Sequence, residues 1–241
     1  MTDISIDWAY VPDGIVHRGT PAAAIDGITR AHSDLGMPRS YFAKEAPRTV
    51  VTVAAYYISR VPITIGYWNQ YARACRREMV PGNAGYPVDG VSWDAAVAFC
   101  TWASGELQLD VRLPTEDEWE RAARGSDERE YPWGDDFNPA LANLAEHGLG
   151  HPLPVGSLPE GASCFGVLDL AGNVDEWTAT TYYPYPGAPE DVPQVETWAA
   201  DPHITRGGAY RNHRDLARCA RRHAVYPPWT GAGFRLAYSK G

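Results

Sequence analysis

Helical periodicity ends at Gly125, near the middle of this chain of 241 residues. Beyond that glycine, the apolar residues come in short pieces separated by turns rich in Gly, Pro, Asn and Asp. Over the whole chain, 23 glycines and 20 prolines interrupt the backbone, and both residues favour turns over long regular elements. The second half is therefore predicted to consist of loops on a small sheet, which excludes a helical bundle.

Three helices are predicted in the first half. The apolar residues of 65–79 recur every three or four positions, which is the helical period. A second helix fits 92–104, which begins at a capping serine and is followed by a glycine. The third follows Thr115, which can form a capping box with Glu118, and ends at Gly125.

Two segments have the β-branched and aromatic composition of strands. The first, 8–17, is broken by a Pro-Asp-Gly turn, and the second is 48–58. Residues 20–47 between them are predicted to be a long connection. Since no internal repeat and no linker divides residues 1–241, we expect one α+β domain and a monomer.

The charge of the chain is unevenly distributed. A formal net charge of −9 argues against nucleic acid or an anionic membrane as the main partner, because both require a basic face. Yet residues 204–241 hold seven arginines and Lys240 against the single acid Asp215. This basic segment predicts one of two arrangements: ion pairs with the acidic body, or a cleft for an anionic ligand.

The N-terminal residues lack the basic start and apolar stretch of a secretory signal, so a cytoplasmic location is expected. The longest near-apolar run, 50–58, is too short to span a bilayer. Four cysteines lie in apolar or helical surroundings without Cys-x-x-Cys spacing, and we expect buried thiols instead of disulfides. They are Cys75, Cys100, Cys164 and Cys219.

Two stretches are rich in hard oxygen ligands, which calcium prefers. They are 169–177 and 135–143. His147 and His151 have the spacing of a helical metal pair, but the neighbouring glycines and proline exclude that helix. In the arginine-rich segment His213 and His223 flank a cysteine, where they are either catalytic groups or ordinary polar loop residues.

Several short motifs, read in order, resemble the formylglycine-generating enzyme (sulfatase-modifying factor) family. They are 60–64, 91–95, 112–116, 118–125, 131–135, 165–166, 172–177, 206–208 and 233–235. The resemblance extends over most of the chain, from about Trp8 to Leu236. It implies a C-type-lectin-like fold with a small twisted antiparallel sheet and a few helices, which agrees with the loop-rich second half.

The resemblance also implies metal sites. A structural calcium ion would be held by the carbonyls of Ala171, Gly172 and Val174 and by the carboxylate of Glu176. A second ion site of the family maps to Asn143 and its neighbour Leu144.

The family's copper-binding cysteine pair is absent, because its positions are occupied by Asn212 and Ala217. Cys219 alone cannot supply the two thiolates that copper(I) favours. Formylglycine formation is therefore not expected. Another redox metal, iron or copper, would have to use His213, His223, Asn212 and Cys219.

We therefore expect an oxidoreductase acting on a small or carrier-bound anionic metabolite near 206–223. The alternative is a non-catalytic module that binds a ligand or a protein on the same scaffold. The catalytic candidates are Tyr210, Arg211, His213 and His223. The ligand-binding candidates are Arg211, Asn212, Arg214, Arg222 and Trp229.

Overall fold

The computed structural model describes residues 4–192, 203–223 and 228–240. The helices over these ranges are α1 (Ile25–Ala31), α2 (Arg39–Ala43), α3 (Ile65–Ala74), α4 (Trp93–Leu107) and α5 (Glu116–Arg124). The strands are β1 (Trp8–Val11), β2 (Gly14–Arg18), β3 (Thr49–Val53), β4 (Tyr56–Ser59), β5 (Asp175–Thr181), β6 (His203–Arg206), β7 (Ala232–Phe234) and β8 (Ala237–Tyr238). The rest of the described chain is loops and short 3-10 turns.

The three predicted helices are present, with changed ends. The helix predicted over 65–79 stops at Ala74, and the chain turns at Arg76 with a positive φ of 54°. The helix predicted over 92–104 continues to Leu107, because Gly105 lies inside it and Gln108 ends it in the left-handed conformation. Helix α5 has the predicted capping box. By contrast, α1 and α2 lie in the segment predicted to be a connection, where short helices carry little periodic signal.

Three small sheets replace the single antiparallel sheet that the resemblance implied. The first has the strand order β1-β4-β8 and is antiparallel, while β2 and β3 form a separate antiparallel pair. The third has the order β6-β5-β7, in which β5 runs parallel to β7 and antiparallel to β6. Each predicted strand segment is split at a turn, because its two halves pair in different sheets.

The largest apolar cluster lies between α3, α4 and the third sheet. Phe99 of α4 packs edge-on against Phe234 of β7, with ring centroids 5.3 Å apart, and stacks on Trp68 of α3. A second cluster surrounds α5, where Trp119 is fully buried. These aromatic rings pack loops and short strands together over large contact areas.

Helix α5 also buries carboxylates, and the C-terminal arginines supply their partners. Arg206 donates to Glu116 at 2.9 Å and to Glu120 at 2.7 Å, and all three side chains are at most 3% exposed. Arg222 donates to Glu116 at 3.0 Å. Arg124 donates to Glu120 at 2.9 Å from within the helix. This buried set of ion pairs connects α5 to the arginine-rich segment.

Three further arginines of that segment also meet carboxylates. Arg218 donates to Glu45 at 2.8 Å, Arg235 donates to Glu176 at 2.6 Å, and Arg214 donates to Asp34 at 2.6 Å. Most arginines of the basic segment therefore form internal ion pairs. This is the first of the two arrangements predicted for the segment.

The cysteine prediction is right for two residues and wrong for two. Cys100 and Cys219 are buried thiols, whereas Cys75 and Cys164 are exposed at a helix end and in a loop. All four are free in the described part of the chain. Among the helices that the structure describes, none has the length and apolar character needed to cross a membrane.

The buried ion pairs of α5 make a stability prediction. Replacing Arg206 by Met leaves two buried carboxylates short of a partner, and breaking such a pair costs about 3–5 kcal/mol. We expect urea unfolding at neutral pH to show a loss of that size for Arg206→Met. Arg39→Met, which removes exposed pairs with Asp26 and Asp191, should leave the midpoint nearly unchanged, because exposed pairs contribute little. Equal, small effects of the two variants would contradict the role of the network.

Candidate functional site

A buried histidine–aspartate contact lies at the start of β5. The imidazole Nε2 of His223 is 2.6 Å from Oδ2 of Asp175, whose side chain is 1% exposed. The backbone fixes both residues: Asp175 donates to Gly231 and pairs in β5, while the His223 carbonyl accepts from Thr205 of β6 at 2.8 Å. The neighbouring strands β5 and β6 therefore set the distance between the two side chains.

The second ring nitrogen of His223 is available for chemistry. Nε2 lies 2.6 Å from Oδ2 of Asp175, which is an ion-pair distance, and Oδ2 has no aligned hydrogen-bond donor among the described residues. In the tautomer that carries its proton on Nε2, the lone pair lies on Nδ1, which is buried and likewise has no hydrogen-bond partner there. A carboxylate that orients an imidazole in this way is the arrangement of a general base.

His223 lines a cavity of about 110 Å³. The other lining residues are Met37, Tyr41, Lys44, Asp215, Leu216 and Arg221. Two cationic side chains, Lys44 and Arg221, thus share the cavity with one carboxylate and the imidazole. Larger clefts of about 460 and 530 Å³ beside α4 and α3 are lined mainly by apolar side chains.

Arg221 differs from the other arginines of its segment. It is 1% exposed, yet its Nε lies 3.9 Å from Asp215, too far for a hydrogen bond. Burial holds the pKa of Arg221 below its ordinary value, although Glu45 and Asp215 oppose that effect. This cation is therefore incompletely compensated and suited to an anionic ligand.

Of the residues predicted for the site, the structure places His223 in this cavity and uses several others elsewhere. His213 is half exposed and lies 3.2 Å from Glu146. Arg214 pairs with Asp34 and Arg222 with Glu116, so both act in the fold. The carboxylates of Asp34 and Glu116 therefore already bind these two guanidinium groups.

The remaining candidates also have local partners. Arg211 stacks on Tyr210, with 4.8 Å from guanidinium carbon to ring centroid, and donates to its hydroxyl. Asn212 accepts from the amide of Ala209 at 2.7 Å. Trp229 packs against the large apolar cluster.

Sequence reasoning missed Tyr41, Lys44, Asp215 and Arg221. The first two lie on or next to α2, which was predicted to be a connection. Arg221 was recognised as part of the basic segment, but its sequence position does not distinguish it from the neighbouring Arg222. A predicted helix at 39–43 would have been the signal for Tyr41 and Lys44. That segment lies about 180 residues before His223.

The redox-metal ligand set does not fit this structure. The described residues contain no group of three or more His, Cys, Asp or Glu side chains placed to hold a metal ion. Cys219 is fully buried, and burial raises the pKa of its thiol to about 12, which opposes the thiolate that a metal needs. No step is derived from copper or iron at these residues.

The calcium ligands fit unequally. Both oxygens of Glu176 are occupied: Arg235 donates to them at 2.5 and 2.6 Å, and Trp119 donates at 2.7 Å. Burial raises the pKa of Glu176 despite the ion pair with Arg235. A fully buried carboxylate held in this way does not fit the role of a calcium ligand.

Asn143 fits better. Its Oδ1 is buried without a hydrogen-bond partner within the described ranges, as a cation ligand would be before the ion binds. The loop of Ala171, Gly172 and Val174 lies against it: Gly172 has a φ of 78°, and a Cβ there would stand 2.3 Å from the Asn143 carbonyl oxygen. The backbone of Leu144 follows directly. The two predicted ion-binding loops therefore touch.

A family model for the sulfatase-modifying factor enzyme 1-like domain matches residues 11–240. The chain belongs to the sulfatase-modifying factor family. The resemblance read from the motifs is confirmed.

Two curated relatives show how members of the sulfatase-modifying factor family differ. The inactive C-alpha-formylglycine-generating enzyme 2 of Mus musculus is 35% identical over 196 residues, covering 73% of this chain and 59% of that protein. The hercynine oxygenase of Mycobacterium tuberculosis is 32% identical over 246 residues, covering 80% and 55%. The chain thus spans between half and three fifths of the length of these relatives.

A solved structure of this family's fold matches nearly end to end. PvdO from Pseudomonas aeruginosa is 25% identical, with a TM-score of 0.72, covering 97% of this chain and 94% of that one. The fold class is confirmed as a loop-rich, C-type-lectin-like α+β fold with few helices and small sheets.

The geometry of Glu176 makes a prediction about chelators. Glu176→Gln should lower the melting temperature, because it breaks a buried ion pair and leaves Arg235 uncompensated. Any shift caused by EDTA should be the same in this variant as in wild type, since the carboxylate serves Arg235. Glu160→Gln on an exposed turn is the control. An EDTA effect that is present in wild type and lost in Glu176→Gln would instead show a calcium ligand.

Proposed function

We propose that this chain is an oxidoreductase that binds a small or carrier-bound anionic substrate in the His223 cavity. The observation that carries the proposal is the buried contact of His223 with Asp175, in a cavity shared with Arg221. The pair supplies a proton acceptor, and the arginine supplies a positive charge whose Nε lies 3.9 Å from Asp215 without a hydrogen bond to it. The proposal therefore assigns binding and proton transfer to one cavity.

Charge supports an anionic ligand. Lys44 is 3% exposed and Arg221 1%, and the carboxylate that shares the cavity with them is that of Asp215. In such a weakly screened place, a cation interacts with an anion more strongly than in water.

His223 would act as a general base at Nδ1. A substrate proton would pass to that nitrogen, while Asp175 stabilises the imidazolium that forms. Gly208 donates its amide to the other oxygen of Asp175 at 3.3 Å, which helps to hold the carboxylate in place. This chain therefore provides orientation and proton transfer with its own side chains.

The redox class of the proposal rests on the family, because a hercynine oxygenase is among the relatives. A different reaction from formylglycine formation is expected, since Asn212 and Ala217 replace the thiolate pair. A second candidate function is a non-catalytic binding module. It is favoured by the ion pairs that occupy most of the arginines and by the likeness to a relative described as inactive.

The test combines anion binding with turnover. Purified protein is titrated calorimetrically with a panel of small organic acids and phosphates, and oxygen consumption is followed with each binder, with and without added iron(II) or copper(I). We expect His223→Asn to keep binding within a few-fold and to lose turnover by about 100-fold or more, the usual contribution of a general base. His213→Asn is the matched control and should match wild type.

Other outcomes separate the two candidates. Binding without oxygen consumption under any of these conditions would favour the binding module. Binding that is unchanged in Arg221→Lys and His223→Asn would place the ligand outside the cavity. A sulfatase-type Cys-x-Pro-x-Arg peptide should show no mass change under the same conditions.

A further inference from the structure

We infer that the occupant of the His223 cavity carries a carboxylate and, on the adjacent carbon, a hydrogen-bond donor. This is the head group shared by α-hydroxy and α-amino acids. The inference rests on the proposed anion site and narrows its ligand class. Its basis is a mismatched pair of buried side chains, Arg221 and Asp215.

Arg221 and Asp215 face each other without bonding. Both are 1% exposed and line the cavity. Nε of the arginine and Oδ2 of the aspartate are 3.9 Å apart, and each lacks a hydrogen-bond partner within the described part of the chain. The separation is too long for a direct hydrogen bond, and it is one that a single group bonded to both atoms can bridge. Buried polar atoms are normally satisfied, and a ligand that bonds to both atoms would satisfy this pair.

The mismatch defines what that ligand must offer. Arg221 requires an acceptor, and Asp215 requires a donor. A simple carboxylate satisfies the arginine but brings its charge against the aspartate, and phosphate, which has a P–OH donor, brings close to two negative charges there at neutral pH. A carboxylate with an α-hydroxyl or α-ammonium group satisfies both, because its acceptor and donor lie side by side, as Nε and Oδ2 do.

The size of the cavity agrees with a head group. A cavity of about 110 Å³ is well above the roughly 10–15 Å³ that a single water molecule needs on this measure. It can therefore admit the head group of an α-substituted acid. Met37, which is 36% exposed, lies on the lining and marks the side that is open to solvent. A longer substrate would extend past this residue.

The remaining charged groups of the cavity are compatible with this ligand. The Lys44 ammonium lies 4.8 Å from the Tyr41 ring centroid, so its charge is near the same space. His223 supplies the acceptor Nδ1, which could receive the proton of the α-substituent. The head group would then contact the proposed base as well as the arginine.

The experiment compares four probes by calorimetry on the full chain: L-lactate, L-alanine, propionate and inorganic phosphate. We expect lactate, alanine or both to bind at least about 10-fold more tightly than propionate, and phosphate to bind no better than propionate. Asp215→Asn should weaken alanine more than lactate, because it removes the charge opposite the ammonium group. Which of the two acids binds more tightly identifies the α-substituent.

A second variant avoids the buried pair. Met37→Trp should narrow the opening and weaken lactate and alanine by at least about 10-fold, whereas Met79→Trp, at a similarly exposed methionine elsewhere, should have no effect. Propionate binding as tightly as both substituted acids would overturn the inference and leave the anion site standing. Failure of all four probes to bind would overturn both, as would unchanged binding in Met37→Trp.

Discussion

Arg206 holds together two parts of a chain that has few long regular elements. Its guanidinium reaches Glu116 and Glu120 on α5 and also donates to the Cys219 carbonyl at 2.8 Å. A buried ion pair contributes little net stability over an apolar pair, but it is costly to break. The ion pairs therefore restrict the loops of the arginine-rich segment to few conformations. The residues of that segment that line the cavity are held in place in the same way.

The same network decides which arginine is left for a ligand. Arg222 lies 4.0 Å from the Tyr185 ring centroid and bonds to Glu116 on one side of the segment. Its neighbour Arg221 lies on the other side, over Tyr41 and Phe42 of α2. The α5 carboxylate of Glu116 is bound to Arg222. The guanidinium of Arg221, beside His223, has no hydrogen bond to a carboxylate among the described residues. The proposed function depends on a charge that the fold does not fully neutralise.

Local chemistry predicted much of the fold. The capping box before α5 and the period of α3 and α4 depend on residues close in sequence, and the structure confirms all three helices. The division of 8–17 and 48–58 between two sheets was not predictable, because strand partners are chosen by long-range pairing. The short helix α2 was missed because five residues give too little periodicity.

The candidate site was predicted less completely for a similar reason. The sequence identified His223 and a basic segment, but the partner of each arginine depends on acids as distant as Glu45 and Glu116. Glu176 is a second example. Its motif implied a calcium ligand, whereas in the structure its carboxylate pairs with Arg235. Charge alone indicates that pairs will form, and only the three-dimensional arrangement shows which charge is left over.

We propose that Arg221 meets the ligand while Arg206, Arg222 and Arg235 support the fold. The direct measurement is the ¹⁵Nε resonances of the arginine side chains during a titration with L-lactate, with Arg221 assigned from Arg221→Lys. We expect a saturable shift of the Arg221 resonance and little change at Arg206, Arg222 and Arg235. A shift at those three arginines with none at Arg221 would contradict this proposal.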